Sequence, residues 1–225
     1  AFLLLPLMAV LLEGAQAVLT LPSVVWAAAL RSIVVALCST ALAVALALPI
    51  ALFAARGRGW VETLTALSIS VSPLVLGTGL FLILFPVADP VGLALPITGL
   101  VNALVALPFI LRGLIPELRR AEATQGRLAD ALGLGGWTRL RLAILPRLRR
   151  PLGFGAGLAA AFSMGDLGVI ALFSAPGAAT LPMEMYRLMG SYRTDDAEGA
   201  AVLLMLLALG LFWLFDRGGR VDAGD

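Results

Sequence analysis

Asp166 stands inside an apolar run that extends from about Leu152 to Phe173. A carboxylate there is costly unless it is paired or reaches water, so the position is a functional candidate by default. Two chemistries fit it. The charge could face a cationic solute, or, within Gly165-Asp166-Leu167-Gly168, the oxygens could accept backbone N–H groups where a helix breaks. The residues alone leave both roles open. Asn102 and Thr78 are further polar side chains in apolar surroundings, and they are grouped with Asp166 as pathway or structural positions. Acid catalysis by Asp166 would need a second buried acid or a serine–base pair. Glu13 belongs to a doubtful outer end and Glu62 to a border, so a membrane-embedded enzyme or scaffold is the lesser reading. A second group of residues gathers in "LADALGLGGWTRLRLAILPRLRR", Leu128 to Arg150. Its Leu128, Ala129, Asp130, Ala131 and Leu132 suit a short helix, and Gly133 permits a left-handed turn at no steric cost. A second helical stretch is then expected to run to Leu145 and to stop at Pro146. Trp137, Leu140 and Ile144 share its face, while Leu142 and Leu145 spoil the amphipathic pattern.

The elements that position these groups are helices in a bilayer. Apolar residues make up 60% of the 225 positions and charged ones only 13%, too few to clothe a soluble domain. Mean hydropathy is +1.00. All 16 basic residues are arginine, and there is no histidine. That removes a phosphate-binding P-loop, which needs its lysine, together with histidine-based zinc sites and Ser-His-Asp triads. No cofactor is therefore expected on this chain, and any ATP would be bound by another subunit. The pI near 9.3 does not point to nucleic acid, because the arginines sit in short loops beside apolar spans. Cys38, the single cysteine, reads as a small core hydrophobe.

Six spans are expected, at about Phe2–Leu21, Val25–Ala55, Thr63–Pro86, Leu95–Leu114, Leu152–Phe173 and Ala200–Phe215. Period-2 alternation is absent, so the class is all-α. The opening stretch, despite Ala15-Gln16-Ala17, reads as part of a transmembrane helix of a longer chain rather than a signal peptide, since no basic residue precedes it. Arg56, Arg58, the arginines from Arg112 to Arg150, and Arg217 and Arg220 fall on one side if the spans alternate. The positive-inside rule makes that side cytoplasmic and places both ends there. Arg31 is expected to snorkel to outer headgroups, and Trp213 and Phe215 near Arg217 to form an interfacial belt. Pro49, Pro73 and Pro108, with Gly77 and Gly79, read as helix interruptions.

Gly133, nine intervening residues, then Ala143, Ile144 and Leu145-Pro146 resembles half of the cytoplasmic loop signature of ATP-binding cassette importer permeases. The Glu-Ala-Ala that completes the signature is replaced by Arg127, Leu128 and Ala129, and the nearby Glu122-Ala123-Thr124 stands in the wrong register. "SVSPLVLGTGL" and "NALVALPFILRGL" resemble the spans of these permeases. "SMGDLGVIALF" and "TLPMEMYRLMGSYRTDDA" are most similar to the thiamine/thiamine pyrophosphate importer permeases, over roughly Val25 to Asp216. The resemblance implies an integral membrane fold of about six helices, of the type I importer permease kind. Residues 1–225 would be one transmembrane half, corresponding to the second half of a two-half chain, with residues 117–150 as coupling loop. It further implies ATPase subunits docked at that loop, a second permease half, an extracytoplasmic binding protein facing Ser174 to Glu198, and a bacterial inner-membrane location among lipid. Iron(III) or another small solute is the alternative cargo.

Overall fold

The computed structural model describes residues 4–55, 60, 63, 65, 72–87, 89, 92–133, 135–173 and 179–220. Among these the regular structure is helical. A helix α1 (Leu4–Ala17) passes through a single 3-10 turn into α2 (Ser23–Ala55); α3 (Pro73–Leu84) and α4 (Ala94–Ala131) follow. A one-turn α5 (Gly136–Arg139) leads through a π-helical stretch, Leu140–Ile144, into α6 (Leu145–Met164). The short α7 (Gly168–Phe173) and α8 (Leu181–Gly190) precede α9 (Thr194–Arg220).

Among the described residues, three helices are long and apolar enough to cross a bilayer: Ser23–Ala55, Ala94–Gly126 and Thr194–Arg220. They correspond to the second, fourth and sixth expected spans. The other three differ from expectation. The first is a 14-residue helix, and the third is described as helix at Thr63 and Thr65 and over the 12 residues of α3, residues 64 and 66–71 lying outside the described part. The fifth is divided by Gly165 to Leu167 into α6 and α7. The structure thus supports a multi-pass bundle without fixing the number six.

Helix α6 lies at the centre, packed by α2, α4 and α9. Small residues make this possible, because between apolar helices in lipid the attraction comes from close packing rather than from water exclusion. On α2, Ala43, Ala47, Ala51 and Ala54 form a fully buried row that meets Ala103, Ala106, Ile110 and Leu114 of α4. On α6, Gly153 and Gly157 face α9: a Cβ on Gly153 would lie 2.7 Å from Gly219 Cα, and one on Gly157 would lie 2.9 Å from Phe212 O. Gly155, on another face, leaves room for Ile110 of α4, with a would-be Cβ at 3.2 Å.

The prolines do not break these helices. Pro49 lies inside α2, Pro108 and Pro116 inside α4, and Pro73 begins α3. Cys38 is exposed on the outer face of α2 rather than in the core, because the buried face of that helix is taken by alanine and serine. Arg217 stacks on Trp213 at 5.2 Å from the ring centroid, as an interfacial aromatic–arginine pair does.

Candidate coupling hairpin and intramembrane break

The expected coupling loop is a helical hairpin rather than a polar connector. Its first arm is continuous with the membrane helix, since α4 runs for 38 residues to Ala131 and absorbs Leu128 to Ala131. The side chains of residues 127–130, and of Trp137 and Ala143, lie outside the described part. The turn uses glycine chemistry: Gly133 has φ +66° and Gly136 φ +53°, values that suit a residue without Cβ. Arg139 reaches back to Glu122 with Nη2 to Oε2 at 2.7 Å, tying the second arm to the first. Gly126 allows that passage, because a Cβ there would stand 2.8 Å from Arg139 Nη2. Being half-exposed, this ion pair is worth about 0–1 kcal/mol and orients more than it stabilises.

Pro146 does not stop the second arm. It occupies the first turn of α6, and the helix continues to Met164. A proline at 146 cannot donate to the carbonyl of Leu142, and its ring crowds that carbonyl. The chain answers by widening the preceding turn into the π-stretch, where Leu145 N–H reaches Leu140 O. Ile144 is buried and Leu140 packs on the same core, as their shared face predicts. Leu142 and Leu132 point outward, 62% and 65% exposed, while Ala131 and Pro146 are also exposed. The hairpin therefore carries exposed apolar side chains on either side of a defined turn.

The second candidate site lies where α6 ends. Asn102, about 12 Å along α4 from its start, donates through Nδ2 to Ser163 Oγ at 3.0 Å, and both residues are buried. Two residues later the chain leaves the helix at Gly165. Asp166 Oδ1 accepts the N–H of Val169 at 3.3 Å, in the first turn of the short α7. Among the described residues, its Oδ2 is buried with no hydrogen-bond partner. The structure thus brings Asn102 within a turn of Asp166 through Ser163. Thr78 is not brought to this cluster by any described hydrogen bond: it is exposed on α3 and its hydroxyl donates to Leu74 O of its own helix at 2.8 Å. Gly77 beside it faces Val169 and Leu172, which joins α3 to α7.

At the opposite end from the hairpin, Arg31 also makes a contact within the protein. Its Nη1 donates to Ala179 O at 3.2 Å, and the next residue, Ser32, accepts the N–H of Leu181 at 2.8 Å. Ser32 fixes the start of α8 and was not legible in the sequence, where nothing distinguishes it from other small residues of α2. The string Gly190-Ser191-Tyr192-Arg193 closes α8 in the Schellman arrangement. Arg193 N–H bonds Leu188 O at 3.0 Å and Tyr192 N–H bonds Met189 O at 3.2 Å. The residue in the left-handed position is Tyr192, φ 59°, where glycine is usual, and its side chain is 93% exposed. Arg193 then grips Asp196 in the first turn of α9, with Nε to Oδ2 at 2.8 Å.

No protein-family model matches the chain. It is 37% identical over 226 residues to the thiamine transport system permease protein ThiP of Brucella abortus and 35% identical over 231 residues to that of Escherichia coli, in each case across 96% of its own length. It spans only 41% and 42% of those relatives. It is also 31% identical, over 75% of its length, to sulfate permease 2, chloroplastic, of Chlamydomonas reinhardtii, of which it covers 49%.

Proposed function

From its kinship with the bacterial thiamine transport permeases, which holds over 96% of the sequence, we propose that this chain forms one transmembrane half of an ATP-driven, binding-protein-dependent importer for thiamine or thiamine pyrophosphate. It corresponds to the second half of a longer two-half permease, and solute passes between the halves by alternating access. The chain itself makes and breaks no covalent bond. ATP is bound and hydrolysed on separate subunits, which dock on the hairpin built from Leu128 to Gly133 and from Leu145 and Pro146. The arginine-rich end of the bundle is cytoplasmic, as are both chain ends, and the bundle lies in the inner membrane of a bacterium. The α8–α9 turn with exposed Tyr192 faces an extracytoplasmic binding protein. Asp166 holds the helix break, and Asn102 steadies it through Ser163.

The observation that carries this reading is the hairpin. An exposed turn with two left-handed glycines closes a stiff helical extension at the arginine-rich end of an apolar bundle. A plain lipid-side connector has no need of such a rigid shape. The test is uptake of labelled thiamine at low concentration by cells lacking their own importer and supplied with the natural full-length permease, its ATPase and its binding protein. Uptake that depends on all three supports the proposal. Iron-dependent rescue with no thiamine uptake would refute it.

A further inference from the structure

Arg31 is a cation on a helix long and apolar enough to cross a bilayer, and among the described residues no carboxylate pairs with it. Its described hydrogen bond runs from Nη1 to Ala179 O at 3.2 Å. A neutral carbonyl takes up one of the five guanidinium donors and none of the charge, so the position calls for an anion.

The same residue lines a cleft of about 510 Å³ between α2 and α4, at the end of the bundle away from the hairpin. Along α2 the wall runs from Leu30 to Leu42, and along α4 from Leu95 to Leu100. From Arg31 to Leu42 is about 16 Å of helix, which matches one leaflet of a ~30 Å hydrocarbon core. The walls are apolar, with Val34 and Leu42 exposed on one side and Leu100 on the other. Ser39 also lines the cleft, but its hydroxyl is turned onto Ala36 O at 3.1 Å and is not offered to an occupant. Gly99 gives the cleft its depth, since the atom nearest to a Cβ there would be Val35 Cγ1 at 3.9 Å.

A free anion would leave these walls bare, and an apolar solute would leave the guanidinium without a counter-charge. Spread over its length, the volume leaves a section about 6 Å across, narrower than the ~10 Å of an α-helix with its side chains. A hydrocarbon chain fits that section, and a phosphate at its head meets Arg31 through paired N–H donors.

We propose that Arg31 and the α2–α4 cleft form a binding site for an anionic phospholipid of the leaflet remote from the hairpin, with its phosphate on Arg31 and one acyl chain laid past Val34 and Gly99 toward Leu42. The site depends on the membrane placement of the bundle and not on which solute is carried.

The test uses the natural full-length permease in nanodiscs that carry phosphatidylglycerol or phosphatidylcholine with a photoreactive diazirine on the acyl chain. Irradiation, digestion and mass spectrometry give the labelling between Val34 and Leu42, relative to that at the exposed Leu206 and Leu209 of α9. In the wild type, phosphatidylglycerol should label the cleft about fivefold better than phosphatidylcholine, because one basic side chain at the membrane surface is worth about 1 kcal/mol toward an anionic headgroup. Arg31→Gln should abolish that preference and Arg31→Lys should keep it. Gly99→Leu should lower cleft labelling by both lipids, because the new side chain takes the place of the acyl chain. Equal labelling of the cleft by the two lipids in the wild type overturns the proposal, whether or not the variants fold. So does cleft labelling no higher than at the α9 reference, which would assign the cleft to another protein segment or to ordinary bilayer lipid. An unchanged preference in Arg31→Gln, or unchanged labelling in Gly99→Leu, is equally fatal to it.

Discussion

Gly153→Ala and Gly210→Ala are the same chemical change in two long helices, and the structure gives them opposite signs. At Gly153 the new methyl would lie 2.7 Å from both Gly219 Cα and Phe215 O. These are backbone atoms and cannot rotate away. Carbon contacts settle near 3.5–4.0 Å, so α6 and α9 must part by about 1 Å along this crossing. Overpacking of this kind costs about 1–3 kcal/mol, less whatever alanine gains in helix propensity. At Gly210 of α9 nothing lies within 4 Å of the added atom, so only propensity acts and the change should stabilise by up to about 1 kcal/mol. Thermal unfolding of the purified full-length permease, followed by loss of monodisperse protein in detergent, should place Gly153→Ala below wild type and Gly210→Ala at or above it. Equal midpoints for the two variants would show that the glycine crossing of α6 on α9 does not hold the bundle together.

Gly133→Val forces a β-branched residue to φ near +66°, at a cost of about 1–3 kcal/mol confined to the hairpin turn. Since no atom lies within 4 Å of the added Cβ, membrane insertion should be unchanged while copurification of the ATPase falls. Unchanged copurification and transport would argue against the docking role. Asp166→Asn keeps an acceptor for Val169 N–H and should retain folded protein and substantial transport, whereas Asp166→Ala leaves that donor unsatisfied at about 1–3 kcal/mol and should lower the folded amount. Equal folded amounts with transport lost in both would instead assign the charge to the solute. Tyr192→Gly removes a left-handed strain of about 1–2 kcal/mol against about 0.5–1 kcal/mol of added chain entropy. The thermal midpoint should rise slightly, and a marked fall would mean that the exposed ring makes a stabilising contact.

The sequence made the class plain because apolar composition and arginine asymmetry are collective signals that no single contact can override. Gly133 was legible for a local reason: a glycine between two helical patterns has few other uses, and its φ agrees. Pro146 misled because a proline rule written for α-helices forbids continuation, whereas one widened π-turn permits it. A structural role for Asp166 was suggested only by the resemblance of its Gly165-Asp166-Leu167-Gly168 segment to related permeases, and Ser163 as the partner of Asn102 was not legible at all, since residues 61 positions apart meet only through the packing of α4 on α6. The bond from Arg31 to Ala179 O was not legible for the same reason, as its acceptor lies 148 positions away. The sequence reading passed over Gly153 and Gly157, whose role shows only once the fold brings α9 against them.

The π-stretch between the hairpin and α6 has a mechanical side. From Gly136 to Met164 the chain makes no reverse turn, so one shaft of roughly 40 Å connects the exposed hairpin with the Asn102–Ser163 contact and the cap at Asp166. A helix of this kind resists bending but transmits rotation about its own axis. The widened turn at Leu140–Ile144 is the place where it can take up torque, because an i+5 ladder returns to i+4 by sliding one carbonyl. The exposed hairpin and the Asn102–Ser163 contact thus belong to one uninterrupted helical element, and the five residues of the π-stretch set the rotational register between its two ends.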